Sequence, residues 1–235
     1  MEAGSLTWKE YEEFLQKVKV AILPVGSVEE HGFHLPLNTD TIIAHEIALR
    51  AAEKKKALVL PPVAYGLCRT TSGFPGTISL SFDTTRAIIK EILEGIVRHG
   101  AKRIILLTGH FGSGHIEALR EASLSVKRRH PEFEILLIPL FDLLDDKARG
   151  VLEVEKEEAG HAGEAETSIM FVLKPNLVNM ERAEGESPEF PNFVVKTSGR
   201  KWMRTGVIRG EPRLATKEKG EVMVKCLVEN LAKLL

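Results

Sequence analysis

Residues 22–40, ILPVGSVEEHGFHLPLNTD, join an apolar run to a loop that is crowded with acidic and histidine side chains. Runs rich in Val, Ile and Leu recur along the chain, and each is too short and too uniformly apolar for a half-exposed strand. They predict buried parallel strands over 18–25, 57–63, 103–107 and 133–140.

Helical patterns lie between and after these strands, with apolar positions that repeat every three or four residues. They cover 39–55, 83–99, 114–129, 163–174 and 216 to the end. Alternating strands and helices predict an α/β fold with a mostly parallel sheet and helices on both faces. In such folds ligands bind beyond the carboxyl ends of the strands, so we expect the functional site there. No linker divides the chain, and we expect one domain over 1–235.

Composition limits the classes of function. The chain has 235 residues, of which 43% are hydrophobic and 28% charged, as in ordinary globular proteins. Its 32 basic and 33 acidic residues leave a net charge of -1, which disfavours a nucleic-acid partner. Glutamine occurs once, at Gln16, while Glu and Lys are plentiful, which is the direction in which hyperthermophile compositions shift.

The two cysteines, Cys68 and Cys226, lie far apart and without metal-finger or disulfide-framework spacing, which indicates a reducing compartment. The acidic, amphipathic start is unlike a signal peptide, and no apolar run approaches membrane length. We therefore expect a cytoplasmic protein without membrane contact. The poorly periodic segment 181–212 is either an excursion over the site or an oligomer contact.

The loop after the first strand predicts a cation site. In an extended segment, residues two apart point the same way, so Glu29 and His31 form the better ligand pair. Asp40 follows at the start of a helix. Carboxylate and imidazole together suit zinc, manganese or iron, and a carboxylate can bridge two ions.

Two further clusters follow later elements. His110 ends the third strand beside Gly109, where backbone can approach a ligand closely. The stretch GHAGEAETS adds His161, Glu164 and Glu166 before a helical run. Glu166 has an alternative, purely structural role as a helix-capping acid. His34 is expected to hold a metal ligand by a hydrogen bond and not to contact the metal itself.

Three of these sequence motifs together resemble the signatures of a known family. PVGSVEEHGFHLPLNTD resembles the signature of the creatininase family, and TGHFGS and HAGEAETS resemble its second and third signatures in the correct order, so the likeness spans roughly residues 20–180. The resemblance implies a three-layer α/β/α domain, usually a homohexamer, with two divalent metals that assist hydrolysis of amide C–N bonds. It further implies that Glu29 and His110 hold one metal, His31 helps to hold the other, and Asp40 bridges both.

The chain departs from the family at several positions. Members that act on creatinine carry a glutamate ligand two residues after the second-motif histidine, where this chain has Gly112. We expect Glu164 to fill that vacancy as metal ligand and catalytic group. By resemblance the substrate lies near Phe111 and near Phe74, Gly76 and Thr77 of the FPGTISL segment.

The resemblance favours metal-assisted hydrolysis of a small polar amide, with His161 as the general acid that protonates the leaving nitrogen. Creatinine itself is disfavoured, because Phe111 lacks the aromatic hydroxyl of creatinine-cleaving members. A branch that deformylates a formamidopyrimidine ribonucleotide, on the route to riboflavin and deazaflavin coenzymes, is the best prediction. Creatinine hydrolysis, peptide trimming and metal binding without catalysis remain as alternatives.

Overall fold

A computed structural model describes residues 1–153, 160–192 and 194–235. Within this part of the chain, four strands form one sheet in the order β2-β1-β3-β4, and every pairing is parallel. The predicted mostly parallel α/β sheet is therefore confirmed. The strands are β1 Val20–Val25, β2 Leu58–Val59, β3 Arg103–Thr108 and β4 Glu134–Pro139.

Seven α-helices surround the sheet in the described residues. Five of them begin and end within two residues of their predicted bounds. The first helix was not predicted as an element, although Thr7 and Glu10 form a capping box at its start. No helix in the described ranges is both long and apolar enough to cross a bilayer. The helices are α1 Trp8–Val18, α2 Thr39–Lys54, α3 Phe82–Arg98, α4 Ser113–Arg129, α5 Asp146–Arg149, α6 Glu164–Leu173 and α7 Lys217–Lys233.

The sheet separates two apolar cores. Alternate residues of a strand point to opposite faces, so Ile22 and Ile105 pack with α2, α6 and α7 on one side. Leu23 and Leu106 pack with α1, α3 and α4 on the other side. The result is a three-layer α/β/α arrangement in which both faces of the central strands are covered.

Two strands differ from their predicted form. The predicted strand over 57–63 pairs as a strand only at Leu58–Val59, because Pro61 and Pro62 lack the N–H groups that a ladder needs. Beyond them the chain stays extended, and the Val63 N–H donates to the Pro24 carbonyl at 3.0 Å. The prediction that all strands are buried is wrong for β4, an edge strand whose residues are exposed or only half-buried.

The carboxyl ends of β1 and β3 meet the start of α2 at very short range. The Gly109 N–H donates to the Val25 carbonyl at 2.9 Å, which fixes the end of β3 beside the end of β1. A Cβ atom at Gly109 would lie 2.2 Å from the carbonyl oxygen of Asp40. Glycine at this position therefore allows the first turn of α2 to rest on β3.

Candidate metal centre and active site

A cleft of about 420 Å³ opens beyond the carboxyl ends of β1 and β3, where the fold class places ligands. Its walls bring together residues from the loop after β1, the end of β3 and the start of α6. The lining includes Glu29, Asp40, Cys68, His110, Phe111, His161 and Glu166.

Asp40 lies at the centre of this arrangement, in the first turn of α2. Its Oδ1 lies 3.0 Å from Nε2 of His31, and its Oδ2 lies 3.1 Å from Nδ1 of His110. The Ser27 hydroxyl donates to Oδ2 at 2.7 Å. The helix dipole favours a negative charge at this end of α2. One buried carboxylate thus faces an imidazole with each of its two oxygens.

Backbone carbonyls define the tautomers of both histidines. Nδ1 of His31 lies 3.0 Å from the Glu29 carbonyl oxygen, and Nε2 of His110 lies 3.0 Å from the Leu67 carbonyl oxygen. A carbonyl oxygen only accepts, so each of these nitrogens carries the proton. The other ring nitrogen of each histidine faces Asp40, and in its neutral form it could offer its lone pair to a cation there, which is the arrangement that metal-ligating histidines use.

One group of ligand atoms contains Glu29, Cys68 and His110, all buried, with these atoms within 4.8 Å of one another. Oε2 of Glu29 lies 2.8 Å from Nδ1 of His110. The Thr71 hydroxyl donates to the other oxygen of Glu29. Burial raises the pKa of the Cys68 thiol, so the thiol by itself is a poor nucleophile.

A second group contains His31, His161 and Glu166, again with ligand atoms within 4.8 Å of one another. Oε2 of Glu166 lies 3.9 Å from Nε2 of His31 and accepts the Ala162 N–H at 2.6 Å. Glu166 therefore faces the cluster, and the N–H that it accepts belongs to Ala162, one residue before the N-cap Gly163, so it does not form the capping box that was its alternative. His161 donates through Nε2 to the Glu30 carbonyl at 2.6 Å.

The structure contradicts the prediction that Glu164 is a metal ligand and catalytic group. Its buried carboxylate accepts from Nζ of Lys219 and from the Glu153 N–H, and it joins neither group of candidate ligands. The reason is helical geometry. Residues two apart on an α-helix point about 200° apart, so Glu164 and Glu166 face opposite sides of α6.

The charges of these side chains act strongly on one another. Burial would raise the pKa of Glu29, but the neighbouring His110 and His161 outweigh it and lower this pKa to about 2. Burial likewise opposes ionisation of Asp40, yet His31 and His110 hold its pKa well below the usual range. The pKa of His110 is raised well above its ordinary value, because attraction from Glu29 overcomes burial.

The donor set fits two divalent cations. Four buried carboxylates, those of Glu29, Glu30, Asp40 and Glu166, converge here, and among the described residues none of them forms an ion pair with Lys or Arg. Among the described residues only histidines lie close enough to offset these charges, and buried charge is costly unless it is compensated. Two divalent ions would supply the matching positive charge, and oxygen and imidazole nitrogen are suitable ligands.

The remaining predicted residues have different positions. Phe111 lines the cleft and stacks on Phe141 with ring centroids 4.8 Å apart. Phe74, Gly76 and Thr77 are not among the residues that line it, which is a correction to their expected substrate contact. They support the loop instead, since the Thr77 hydroxyl accepts the Glu30 N–H at 2.9 Å.

His34 is buried, and among the described residues its ring contacts Thr167 and not one of the candidate ligands, so its supporting role stays a prediction. Its Nε2 lies 2.9 Å from the Thr167 hydroxyl, next to Glu166 on α6. Burial, followed by the nearby His31 charge, lowers the pKa of His34 to about 4, so the ring is neutral at physiological pH. A neutral ring at this place links the loop after β1 to α6 without adding charge.

The described part of the segment 181–212 contacts the site. Ile208 lines the cleft, and its N–H donates to the His161 carbonyl at 3.1 Å. Gly206 has φ +91°, and a Cβ there would overlap the Glu30 carboxylate at 1.8 Å. The sequence left two alternatives for this segment, an excursion over the site and an oligomer contact. The contacts with His161 and Glu30 agree with an excursion over the site.

Three residues that contact the site were not predicted from the sequence. Ser27, Cys68 and Thr71 all lie beside Asp40 or Glu29. Thr71 lies in a segment where family members often have acidic or histidine residues. Its difference from those residues was the feature of the sequence that could have identified it. Cys68 had none, because a single cysteine without partner spacing does not identify a ligand.

Fold and site together define a metal-dependent hydrolase. The model of one family, described as creatinine amidohydrolase, matches residues 4–235. The chain therefore belongs to the creatininase family, and its class is that of the metal-dependent amidohydrolases, which act on C–N bonds.

Curated relatives cover nearly the whole chain. Creatinine amidohydrolase of Pseudomonas putida is 32% identical, over 97% of this chain and 94% of that protein. A mycofactocin precursor peptide peptidase of Mycolicibacterium smegmatis is 30% identical, over 92% and 83% respectively. A 3-dehydro-scyllo-inosose hydrolase of Thermotoga maritima is 26% identical, over 98% and 81%.

Solved structures agree with this assignment. A crystal structure of creatinine amidohydrolase superposes with a TM-score of 0.90 at 30% identity, covering 99% of this chain and 95% of that one. Similar creatininase structures include a form described as Zn-Zn type, a form named for Mn, and a variant complexed with creatine.

Proposed function

We propose that this protein is a dinuclear metal-dependent amidohydrolase in which Asp40 bridges the two cations. The observation that carries the proposal is that Oδ1 and Oδ2 of Asp40 face different imidazoles, at 3.0 and 3.1 Å. Glu29, Asp40 and His110 would hold one ion, and His31, Asp40 and Glu166 would hold the other. Zinc, iron and manganese all accept this mixture of oxygen and nitrogen.

Bound divalent ions would polarise the amide carbonyl and make water a strong nucleophile near neutral pH. The protein's own task is then to orient the amide and to supply a proton to the departing nitrogen. Two observations support His161 in that role: it lines the cleft, and its ring lies 4.3 Å from that of His31, measured between centroids. Burial opposes its charged form, but Glu29 and Glu30 raise the pKa of His161 well above the ordinary value, which favours the protonated form that a general acid needs.

The cleft favours a small substrate. A volume of about 420 Å³ holds a molecule of small-ligand size, in line with pockets of that class. Arg69 and Thr70 line both this cleft and an adjoining recess of about 260 Å³ that also contains Lys196. A guanidinium and an ammonium along one path suit a substrate whose far end carries a phosphate.

These features support deformylation of a formamidopyrimidine ribonucleotide as the specific reaction. The formamide would lie at the cations and the ribose phosphate would extend toward Arg69. Creatinine has no anionic group to reach the cationic recess, whereas the carboxylate of a peptide C-terminus could occupy it, so the peptide alternative is separated by the substrate panel below.

The test measures metal content and formate release together. Wild-type protein should bind two cations per chain and release formate from the formamidopyrimidine nucleotide, whereas Asp40→Ala should lose both. Asp83→Ala, at a side chain that is 84% exposed, is the matched control and should behave as wild type. Two cations without formate would reject this substrate, and a cyclic amide and peptide panel would then separate the other amide substrates from metal binding alone. Absence of cations would reject the site.

Assembly and location form part of the same proposal. We propose a homo-oligomer, a hexamer by family resemblance, and the exposed apolar side chains of Phe33, Leu37 and Ile78 near the site support a covering partner copy. Sedimentation of a monomer at working concentration would contradict it. The free, buried thiols of Cys68 and Cys226 support the cytoplasm as its compartment.

A further inference from the structure

Cys68 lies inside the cation site that we propose, although no metal-binding motif contains it. Its side chain is 1% exposed, and its Sγ lies within 4.8 Å of ligand atoms of Glu29 and His110. It also lines the cleft. The thiol makes only a weak contact with the Gly66 carbonyl, at 3.9 Å, and its side chain interacts with that of His110, so the sulfur already lies against a candidate ligand.

The backbone at this point is held firmly. The Leu67 carbonyl accepts from His110, the Leu67 N–H donates to Nδ1 of His115 at 3.3 Å, and the Cys68 N–H donates to the Ser79 hydroxyl at 2.9 Å. The peptide that fixes the tautomer of His110 therefore also positions the thiol beside it. Such support is what distinguishes a prepared ligand from a cysteine that merely fills space.

The position where creatinine-cleaving members carry their extra glutamate cannot supply this ligand. Gly112 has no side chain, and a Cβ there would lie 2.7 Å from Nε2 of His110, so any larger residue would displace the imidazole. Glu164, the acid that the sequence offered for the vacancy, is paired with Lys219. Among the described residues, Cys68 is the side chain that forms a group of possible metal ligands with Glu29 and His110.

We infer that the Cys68 thiolate is a ligand of the cation that Glu29, Asp40 and His110 hold, an inference that rests on the proposed function. On binding, the S–H bond breaks, the proton leaves to solvent and a sulfur–metal bond forms, with no change in oxidation state. Sulfur is a soft ligand that selects zinc or iron over magnesium and manganese. The second site, with only nitrogen and oxygen ligands, lacks this preference.

Cobalt(II) substitution provides a readout that is independent of activity. Wild-type protein loaded with two cobalt ions should show a thiolate-to-cobalt charge-transfer band in the near ultraviolet. Cys68→Ser should lose this band, and one of its two ions should bind at least about tenfold more weakly, since even groups behind metal ligands contribute about 10–100-fold. Cys226→Ser is the matched control, because its sulfur is also buried but contacts Asn230 at 3.4 Å. It should keep the band.

X-ray absorption of zinc-loaded wild-type protein covers the case in which Cys68→Ser does not fold. A sulfur neighbour at about 2.3 Å from zinc supports the inference. Two bound ions with no charge-transfer band and no sulfur neighbour would overturn the role of Cys68 while leaving the dinuclear site intact. Failure to bind either metal would overturn both.

Discussion

Two backbone carbonyls decide which nitrogen each central histidine can offer. Because His31 and His110 donate hydrogen bonds through Nδ1 and Nε2 to the Glu29 and Leu67 carbonyls, their other ring nitrogens converge on Asp40. This selection depends on where the loop backbone lies and not on the identity of neighbouring side chains. The spacing of residues in the sequence therefore cannot predict which ring nitrogen faces Asp40. The same residue types with their rings reversed would not converge on this carboxylate.

The two acids at the start of α6 give a direct test of residue roles. Glu166→Gln should lose about one equivalent of bound metal, because its carboxylate faces His31. Glu164→Gln should retain both equivalents, but its free energy of unfolding should fall by about 1–3 kcal/mol, since the buried partner of Lys219 becomes neutral. Elemental analysis and denaturant unfolding measure the two effects.

These variants control one another, because the same chemical change is made two residues apart on one helix. Loss of metal from Glu164→Gln with full loading of Glu166→Gln would reverse the assignment of the two acids.

His161 is expected to affect turnover more than metal content. His161→Ala should lower kcat by about 10²–10⁴-fold, the usual contribution of a positioned proton donor, while both cations stay bound. In wild type the rate should fall as pH rises through the raised pKa of His161, because the acid form is lost, and this alkaline limb should disappear in the variant. Kinetics across pH and metal analysis check it.

His99→Ala, at an exposed ring that contacts Tyr11, is the matched control and should leave the pH profile unchanged. Loss of a metal equivalent in His161→Ala would instead make His161 a ligand, as its place beside His31 and Glu166 would permit.

Much of the site at residue scale was predictable. Glu29, His31, Asp40 and His110 follow strand ends, and parallel strands bring their carboxyl ends to one edge, so their meeting was predicted from order alone. The choice between Glu164 and Glu166 failed because it depends on the face of a helix. Cys68 was not predicted as a site residue, because it lies in an extended segment whose sequence has neither helix nor strand periodicity.

At the scale of elements, the Val-, Ile- and Leu-rich runs predicted every strand, because strands covered on both faces leave a continuous apolar signature. Their lengths were less predictable. β2 ends early at a pair of prolines, and the half-exposure of β4 reflects its place at the sheet edge. Edge position is a property of strand order, which the local pattern does not contain.

The contact between β3 and α2 depends on one glycine. Gly109→Ala should place a methyl group 2.2 Å from the Asp40 carbonyl, push α2 away and lower both metal loading and the unfolding temperature. Gly95→Ala is the control, since its Cβ would meet only the Arg98 side chain at 3.7 Å in the last turn of α3. It should raise stability by about 0.5–1 kcal/mol through helix propensity. Thermal unfolding and metal analysis distinguish the two, and full loading of Gly109→Ala would contradict the role of this contact.

At the scale of the whole molecule, the site unites distant parts of the chain. The loop after β1 and the end of β3 form its floor, while the start of α6 and the described part of 181–212 close it. The helices α6 and α7 pack on the same face of the sheet as α2, which places Glu166 opposite Asp40. Only the complete three-layer arrangement brings all the candidate ligands together.

Metal removal should therefore destabilise the whole fold. A cation present at 100 times its Kd adds about 2.7 kcal/mol to the free energy of unfolding, which for a chain of this size is about 5–11 °C in Tm. A chelator should lower the Tm of wild type by about that amount for each site. Asp40→Ala should not respond, and an equal chelator response in Asp40→Ala would show that the effect arises elsewhere.

The order of the ligands along the chain also sets an order of events during protein synthesis. Glu29, Asp40, Cys68 and His110 have all been translated by residue 110, whereas the second cation also needs Glu166, 56 residues later. At about 5–20 residues per second this interval is about 3–11 s on the ribosome. The ligands proposed for the first cation are thus complete in the chain several seconds before those of the second, whereas the core that packs α2 against α6 and α7 can form only after both helices have been made.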